Sequence, residues 1–495
     1  MTTSIGRFAL ASAFALSLSL TAAHGQTAAN PAPASLLATV QQKLAEGPAG
    51  SRFGMLVTTL DGDVLVSIAP DQRFIPASNT KMFTTAIAYA ELPLLQQTAR
   101  GTGVRLETGA DGAVDVVLHG RGDASLSSAD DCKVDCLQAL ADAVAAKTRH
   151  VRHITGDDSW FPDERWSPGM SWNNIQSRYG TGTSALTLDD NELAVKVTPG
   201  AIGTPASIAA ADYYAIDNQV ITIAGKEEAI VADRMPNSNS LRLTGTIGAD
   251  VAPMTLRYGI DDPAHYAAWR FRALLLARGV RVDGDLAARH RPLAATDDPA
   301  NRAGAPAIVP AEPAMLAELT APPLAEDMVR INKESQNLHA ELMLRRVARR
   351  SGSGSLADGQ AVMRRVMAQA GLPETGYHFA DGSGMSSYNR ISPRAAVGLL
   401  GWVARQPWGK AWRDTLPIAG KDGTLQNRFK GTLLEGRLFA KTGSLNAARA
   451  LSGYLVTRGG RTLIFSALAN DMPDGTDGQA SAAVDRALVA IAEAL

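Results

Sequence analysis

Strand signals at the two ends of this 495-residue chain constrain its fold more than anything between them. Arg52 to Leu60 and Val64 to Ile68 alternate apolar and polar residues around Asp61-Gly62-Asp63, a hairpin signature. Near the other end, Arg437 to Lys441, Ala450 to Thr457 and Thr462 to Asn470 read as three successive strands. Each set has its own helix. Leu36 to Leu44 precedes the first, and Ser481 to Leu495 follows the last, with Val484, Leu488, Ile491, Ala492 and Leu495 on one face. A single α+β domain uses both ends: a sheet of about five antiparallel strands, flanked by helices.

The long middle then reads as an insertion. We expect residues 26–90 plus 301–495 to form the main domain and 91–300 the inserted region. Two subdomains are expected there, mainly α/β (about 91–190 plus 253–300) and β (191–252). Val104-Arg105-Leu106, Val114 to Gly120, Leu193 to Pro199, Val220 to Ala224 and Ser240 to Ile247 are strand candidates. Leu137 to Lys147 and Tyr266 to Arg278 are helix candidates. Asp297 to Pro313, rich in Ala, Pro and Asp, reads as a surface linker.

Composition excludes some partners. With a formal net charge of -1 and 20% charged residues, the chain offers no electrostatic footprint for nucleic acid. Residues 1–25 read as a cleaved secretory leader: Arg7, then an apolar run from Phe8 to Leu20, then Ala23-His24-Gly25. That run is too short for a typical membrane span, so the mature protein is expected in an extracytoplasmic space, the periplasm. Cys132 and Cys136 are the two cysteines. In an exported chain a C-x-x-x-C pair reads as a local disulfide ahead of a metal site or free thiols. No cofactor or metal is expected.

Chemistry enters with Ser78 and Lys81. They stand three residues apart at the start of the apolar stretch Met82 to Ala90, so both fall on one helix face. A serine hydroxyl needs a base to become a nucleophile, and a neutral, buried lysine can be that base. Downstream, Ser335-Gln336-Asn337 leads into another helical pattern. Later an apolar strand ends in Lys441-Thr442-Gly443-Ser444.

The order S-x-x-K, S-x-N, K-T-G resembles that of penicillin-binding proteins and class A β-lactamases. Two further stretches are similar to D-alanyl-D-alanine carboxypeptidases: Ala380-Asp381-Gly382-Ser383-Gly384-Met385-Ser386-Ser387-Tyr388-Asn389-Arg390-Ile391-Ser392-Pro393, and Pro417-Ile418-Ala419-Gly420-Lys421-Asp422-Gly423-Thr424-Leu425. The long interval from Lys81 to Ser335 selects the low-molecular-mass carboxypeptidase/endopeptidases with a large insertion between the first two motifs. Gly122-Asp123-Ala124-Ser125-Leu126 and Ser184-Ala185-Leu186-Thr187-Leu188-Asp189-Asp190-Asn191 resemble that group too. The chain departs from it at Gln336, where Asp is frequent, and at His339, where Leu is common.

The resemblance implies a fold: a serine β-lactamase/penicillin-binding-protein-like transpeptidase domain. It also implies a function, a penicillin-sensitive D-Ala-D-Ala carboxypeptidase, with D,D-endopeptidase action, on peptidoglycan stem peptides. Ser78 is then the nucleophile and Lys81 the base, with Lys441 as a second cation helping to discharge it. Ser335 relays a proton to the leaving amine and Asn337 orients Lys81. Lys441, Thr442 and Ser444 hold the substrate carboxylate. The backbone N–H groups of Ser78 and Ser444 form the oxyanion hole, and Gly443 lets substrate lie against the strand. Asp157 is expected to meet the amine of a diamino acid. β-Lactams are expected as covalent inhibitors. A serine β-lactamase, with the same three motifs but a compact chain, is the competing enzyme. A non-catalytic peptidoglycan-binding module is opposed by the intact Ser78, Lys81, Ser335, Asn337 and Lys441.

Overall fold

In a computed structural model, which describes residues 34–92, 97–309 and 311–495, strands from the two chain ends pair into one sheet. Its order is Leu438–Leu445, Ala448–Val456, Thr462–Asn470, Arg52–Thr59, Val64–Ile68, antiparallel throughout. The α+β expectation therefore holds. The leader expected over residues 1–25 lies outside the described residues.

Period-two alternation gives this sheet two apolar faces. Met55, Val57, Leu451, Leu455, Leu463 and Phe465 pack under the terminal helices Ala34–Ala45 and Asp477–Ala494. Leu56, Ala450, Tyr454, Ile464 and Leu468 face the opposite layer. That layer contains the helices Thr80–Glu91, Asn337–Ser351, Leu356–Gln369 and Pro393–Ala404. Thr80–Glu91 runs through the middle of it, with residues 80–88 all buried. Each fully buried large apolar side chain there contributes about 1.5–3 kcal/mol.

The inserted region has its own core. A mixed sheet runs Leu286–Arg291, Ile154–Pro162, Val114–His119, Ala99–Thr108, Ala317–Ala321. The helices Leu137–Lys147 and Pro263–Ala277 contribute to the same core. Two three-stranded sheets follow from Glu192 to Gly259. Two boundaries move. Met254–Gly259 pairs with Glu192–Thr198, so the β part ends at 259 rather than 252. Ala317–Ala321 pairs with Ala99–Thr108, so the insertion closes near 321 rather than 300. The two cysteines form the disulfide Cys132–Cys136, which bridges the turn before Leu137–Lys147.

The insertion is fastened to the helix that begins at Asn337. Ala124, Phe161 and Ala185 pack on Leu338 and Leu342. Beside them Asp189, Asp190 and Asn191 all hold left-handed backbone, and Asp190 reaches the main domain. Its carboxylate meets Arg330 at 2.9 Å and His339 Nε2 at 2.8 Å; His339 Nδ1 meets Asp327 at 3.0 Å. Burial alone pulls the His339 pKa down, but hydrogen bonds to Asp190 and Asp327 override it and lift it to about 9. His339 is thus a charged rivet between two acids.

Because its folded pKa lies above the ordinary 6.5, its stabilisation is complete below about pH 6.5 and is lost as pH rises through about 9. His339→Leu leaves two acids around an apolar side chain and is expected to destabilise the fold by about 3 kcal/mol. Denaturant titrations of both proteins at pH 6 and pH 10 check this, with the difference shrinking at the higher pH.

Candidate active site

Ser78 sits in the single 3-10 turn Ala77–Asn79, which runs directly into Thr80–Glu91. Ala77 has φ 46°, a left-handed conformation that costs a β-carbon residue about 1–3 kcal/mol. Side-chain amides hold the turn in place. Asn79 Nδ2 donates to the carbonyl of Lys441 at 2.8 Å, and Asn470 Oδ1 accepts the N–H of Ile75 at 2.6 Å. One helical turn beyond Ser78, Lys81 is wholly buried. Its Nζ lies 2.8 Å from Ser78 Oγ, 2.6 Å from Asn337 Oδ1 and 2.7 Å from the carbonyl of Ser383.

Ser335 follows a π-turn, Arg330–Glu334, and takes φ 63° as its cap. A π-turn of this kind is costly and concentrates at functional sites. Here it aims the Ser335 hydroxyl at Lys441, whose Nζ donates to it at 2.9 Å. Gln336 caps the next helix, its Oε1 accepting the N–H of Leu338 at 3.2 Å. An aspartate at that position would offer the same kind of acceptor. Asn337 opens the helix; its Nδ2 donates to the carbonyl of Tyr179 at 2.9 Å, tying the insertion to the site.

The strand Leu438–Leu445 is an edge of the sheet, and its backbone supplies the third wall. Ala440 N–H donates outward, to Pro417. By the strand's period of two, the N–H groups of Thr442 and Ser444 face the same open edge. Lys441 points inward. It is wholly buried and reaches the cleft through Ser335, and the hydroxyls of Thr442, Ser444 and Thr424 line the cleft beside it. Thr424 Oγ1 is 2.7 Å from Thr442 Oγ1.

Two expectations change here. A β-carbon on Gly443 would stand 2.5 Å from the carbonyl oxygen of Pro76 and 2.9 Å from Ala450. The glycine therefore gives room to the Ser78 turn, not to substrate. Gly384, at φ +91°, does the same from the other side; a β-carbon there would lie 2.0 Å from the carbonyl oxygen of Ala77. The second change is electrostatic. Burial brings the Lys81 pKa down to about 7, against the opposing carboxylates of Asp381 and Glu341. Lys441 is itself pushed well below the ordinary lysine value, first by burial and then by Lys81. Exclusion of water is the largest influence that lowers the proton affinity of the amine beside Ser78, and the repulsion between it and Lys441 is mutual.

Asp157 stands elsewhere. It lies on the inserted strand Ile154–Pro162, with its carboxylate 3.1 Å from Arg105 and 3.3 Å from Arg289. Burial raises its pKa, but His119, Ser159 and Arg105 hold it below the usual carboxylate range. It is absent from the walls of the cleft, whose volume is about 440 Å³. Those walls include Ser78, Ser335, Asn337, Thr442 and Ser444, together with Asn174, Tyr179, Glu334, Met385 and Thr424. The acid at the cleft is Glu334. Asn174 and Tyr179 come from the insertion and carry no local signal in the sequence, whereas Met385 and Thr424 lie inside stretches that do.

Gly443→Ala is expected to slow acylation of Ser78 by a labelled penicillin about a hundredfold, through displacement of the nucleophile turn. Stopped-flow labelling measures the rate, and near-ultraviolet circular dichroism confirms an intact fold.

The chain is similar to several known proteins. A D-alanyl-D-alanine carboxypeptidase from Actinomadura sp. (strain R39) is 34% identical over 455 residues, covering 88% of this chain and 79% of that protein. The DacB D-alanyl-D-alanine carboxypeptidase of Haemophilus influenzae is 24% identical over 455 residues, covering 86% of this chain and 87% of that one. The crystal structure of penicillin binding protein 4 (DacB) from Haemophilus influenzae superposes with a TM-score of 0.76 at 20% identity, covering 91% of this chain and 98% of that one. At that identity the likeness concerns the fold. A structure of that protein in complex with a β-lactam gives a TM-score of 0.70 at 18% identity, with the same coverage. Residues 36–495 match one family along their whole length, and the chain belongs to it: the D-Ala-D-Ala carboxypeptidase 3 (S13) family.

Proposed function

We propose that this chain is a serine D-Ala-D-Ala carboxypeptidase that works through an acyl-enzyme on Ser78. The observation that carries the reading is the wholly buried Lys81 amine, 2.8 Å from Ser78 Oγ. The reaction follows from the contacts. Ser78 Oγ attacks the carbonyl carbon of the penultimate D-alanine while neutral Lys81 accepts its proton. The carbonyl oxygen becomes an oxyanion between the N–H groups of Ser78 and Ser444. Ser335, hydrogen-bonded to Lys441, passes its proton to the departing D-alanine nitrogen as the C–N bond breaks and is reprotonated by Lys81, which becomes neutral again. Water then attacks the remaining ester as neutral Lys81 takes its proton, and Lys81 hands that proton to Ser78 Oγ as the acyl–oxygen bond breaks.

The substrate class follows from family membership and from the cleft. Peptidoglycan stem peptides end in a carboxylate, which the hydroxyls of Thr442, Ser444 and Thr424 accommodate. Endopeptidase action on a cross-bridge belongs to the same proposal, because the cleft is bounded by the insertion at Asn174 and Tyr179 rather than sealed. β-Lactams present the same carbonyl and carboxylate, and the proposal includes acylation of Ser78 by them. Action on the cell wall supports a location outside the cytoplasm, and the proposal includes the periplasm. No described helix is long and apolar enough to cross a membrane.

Digestion of purified sacculi, with products identified by mass, tests the reading. Loss of a single alanine from pentapeptides, abolished in Ser78→Ala, is the expected result; alanine release that persists in Ser78→Ala would sink it. Since neutral Lys81 is the base and its pKa is about 7, the acylation rate is expected to rise with pH through about 7 and level off above it. Penicillin-labelling rates across pH 5–9 check that limb.

A further inference from the structure

Glu341 is enclosed beneath the nucleophile, and the acyl-transfer scheme leaves it without a role. It lies one helical turn beyond Asn337. Its Oε1 accepts the N–H groups of Gly382 at 3.1 Å and Ser383 at 2.8 Å. The carbonyl of that same Ser383 receives the Lys81 amine at 2.7 Å. Asp381 braces the turn from its own side, accepting the N–H of Gly384 at 2.8 Å and Asn389 Nδ2 at 2.6 Å. Glu341 Oε2 is buried with no hydrogen-bond partner. Two backbone donors need one acceptor oxygen, which a glutamine supplies as well. A buried carboxylate with a bare oxygen costs more than that, unless its charge has a use.

We propose that Glu341 is a positioning residue for Lys81: it clamps the 382–384 turn against the amine and, through its charge, biases whether the amine keeps its proton. The proposal rests on Lys81 being the base. Among the described residues, Asp381 on the turn, Lys81 on the nucleophile helix and Arg345, one turn further along its own helix, are the charged groups that act on Glu341; Arg345 is itself paired with Glu164 of the insertion at 2.6 Å. Burial, then Asp381, pushes Glu341 up to about 7, the same range as Lys81. The charged carboxylate favours the ammonium, which is the idle form; the neutral amine, formed as pH rises, is the reactive one.

The test separates charge from grip. Glu341→Gln keeps the acceptor and removes the charge; the acid limb of Ser78 acylation by a fluorescent penicillin is expected to move about one pH unit lower, with the plateau rate within threefold of the parent. Glu341→Asp keeps the charge and shortens the reach; its limb is expected to stay while the plateau falls about tenfold. It also gives an independent reading should the glutamine variant fail to fold. A limb that stays in place in Glu341→Gln, or a plateau unchanged in Glu341→Asp, overturns the inference, provided that Ser78→Ala abolishes labelling. Labelling that survives Ser78→Ala overturns the assignment of the nucleophile and this inference with it.

Discussion

Removal of water from one amine is the constraint on which the site depends. Lys81 is wholly buried in a helix whose first nine residues are all inside, and burial is the largest influence on its proton affinity. An exposed lysine stays charged near neutrality and cannot serve as a base. The layer of helices over the sheet therefore does chemical as well as structural work. It supplies the low-dielectric surroundings that make a serine–lysine pair reactive, and it fixes three acceptors around Nζ so that the amine has one position.

The rest of the catalytic domain converges on the peptide before Ser78. Gly443 approaches it from the edge strand and Gly384 from the 380–389 stretch, each close enough that a β-carbon would collide with backbone. Asn79 ties the turn to the backbone of Lys441, and Lys441 in turn holds Ser335. Motifs far apart in the chain are thus mechanically one object. The left-handed Ala77 and Ser335 are the strained positions this assembly holds in place.

Much of this could be read from residues alone, and the exceptions have physical causes. Strand-like apolar runs at the chain ends announced the sheet because its central strands bury both faces. The serine and lysine motifs were legible by resemblance. The strand Ile154–Pro162 was not, because its Gly156-Asp157-Asp158-Ser159 run looks like a polar loop; the fold buries those acids in ion pairs with Arg105, Arg289 and His290. Ala317–Ala321 is a short edge strand just after a linker-like stretch, which hid the end of the insertion. The partner of Gly443 is Pro76, a contact no local pattern records. Asn174 and Tyr179 reach the cleft only because the insertion folds back over it.

The sheet order carries a consequence for biosynthesis. Arg52–Thr59, made early, finds its place beside Thr462–Asn470, made among the last, and the strand bearing Lys441 is reached only through Ala448–Val456. Such pairings between remote segments form late and slowly. While the polypeptide is still emerging, Ser78 has neither its oxyanion edge nor the Lys441–Ser335 contact. A nascent or truncated copy therefore lacks an assembled site, and the surroundings of Ser78 come into being only when the last strands have paired.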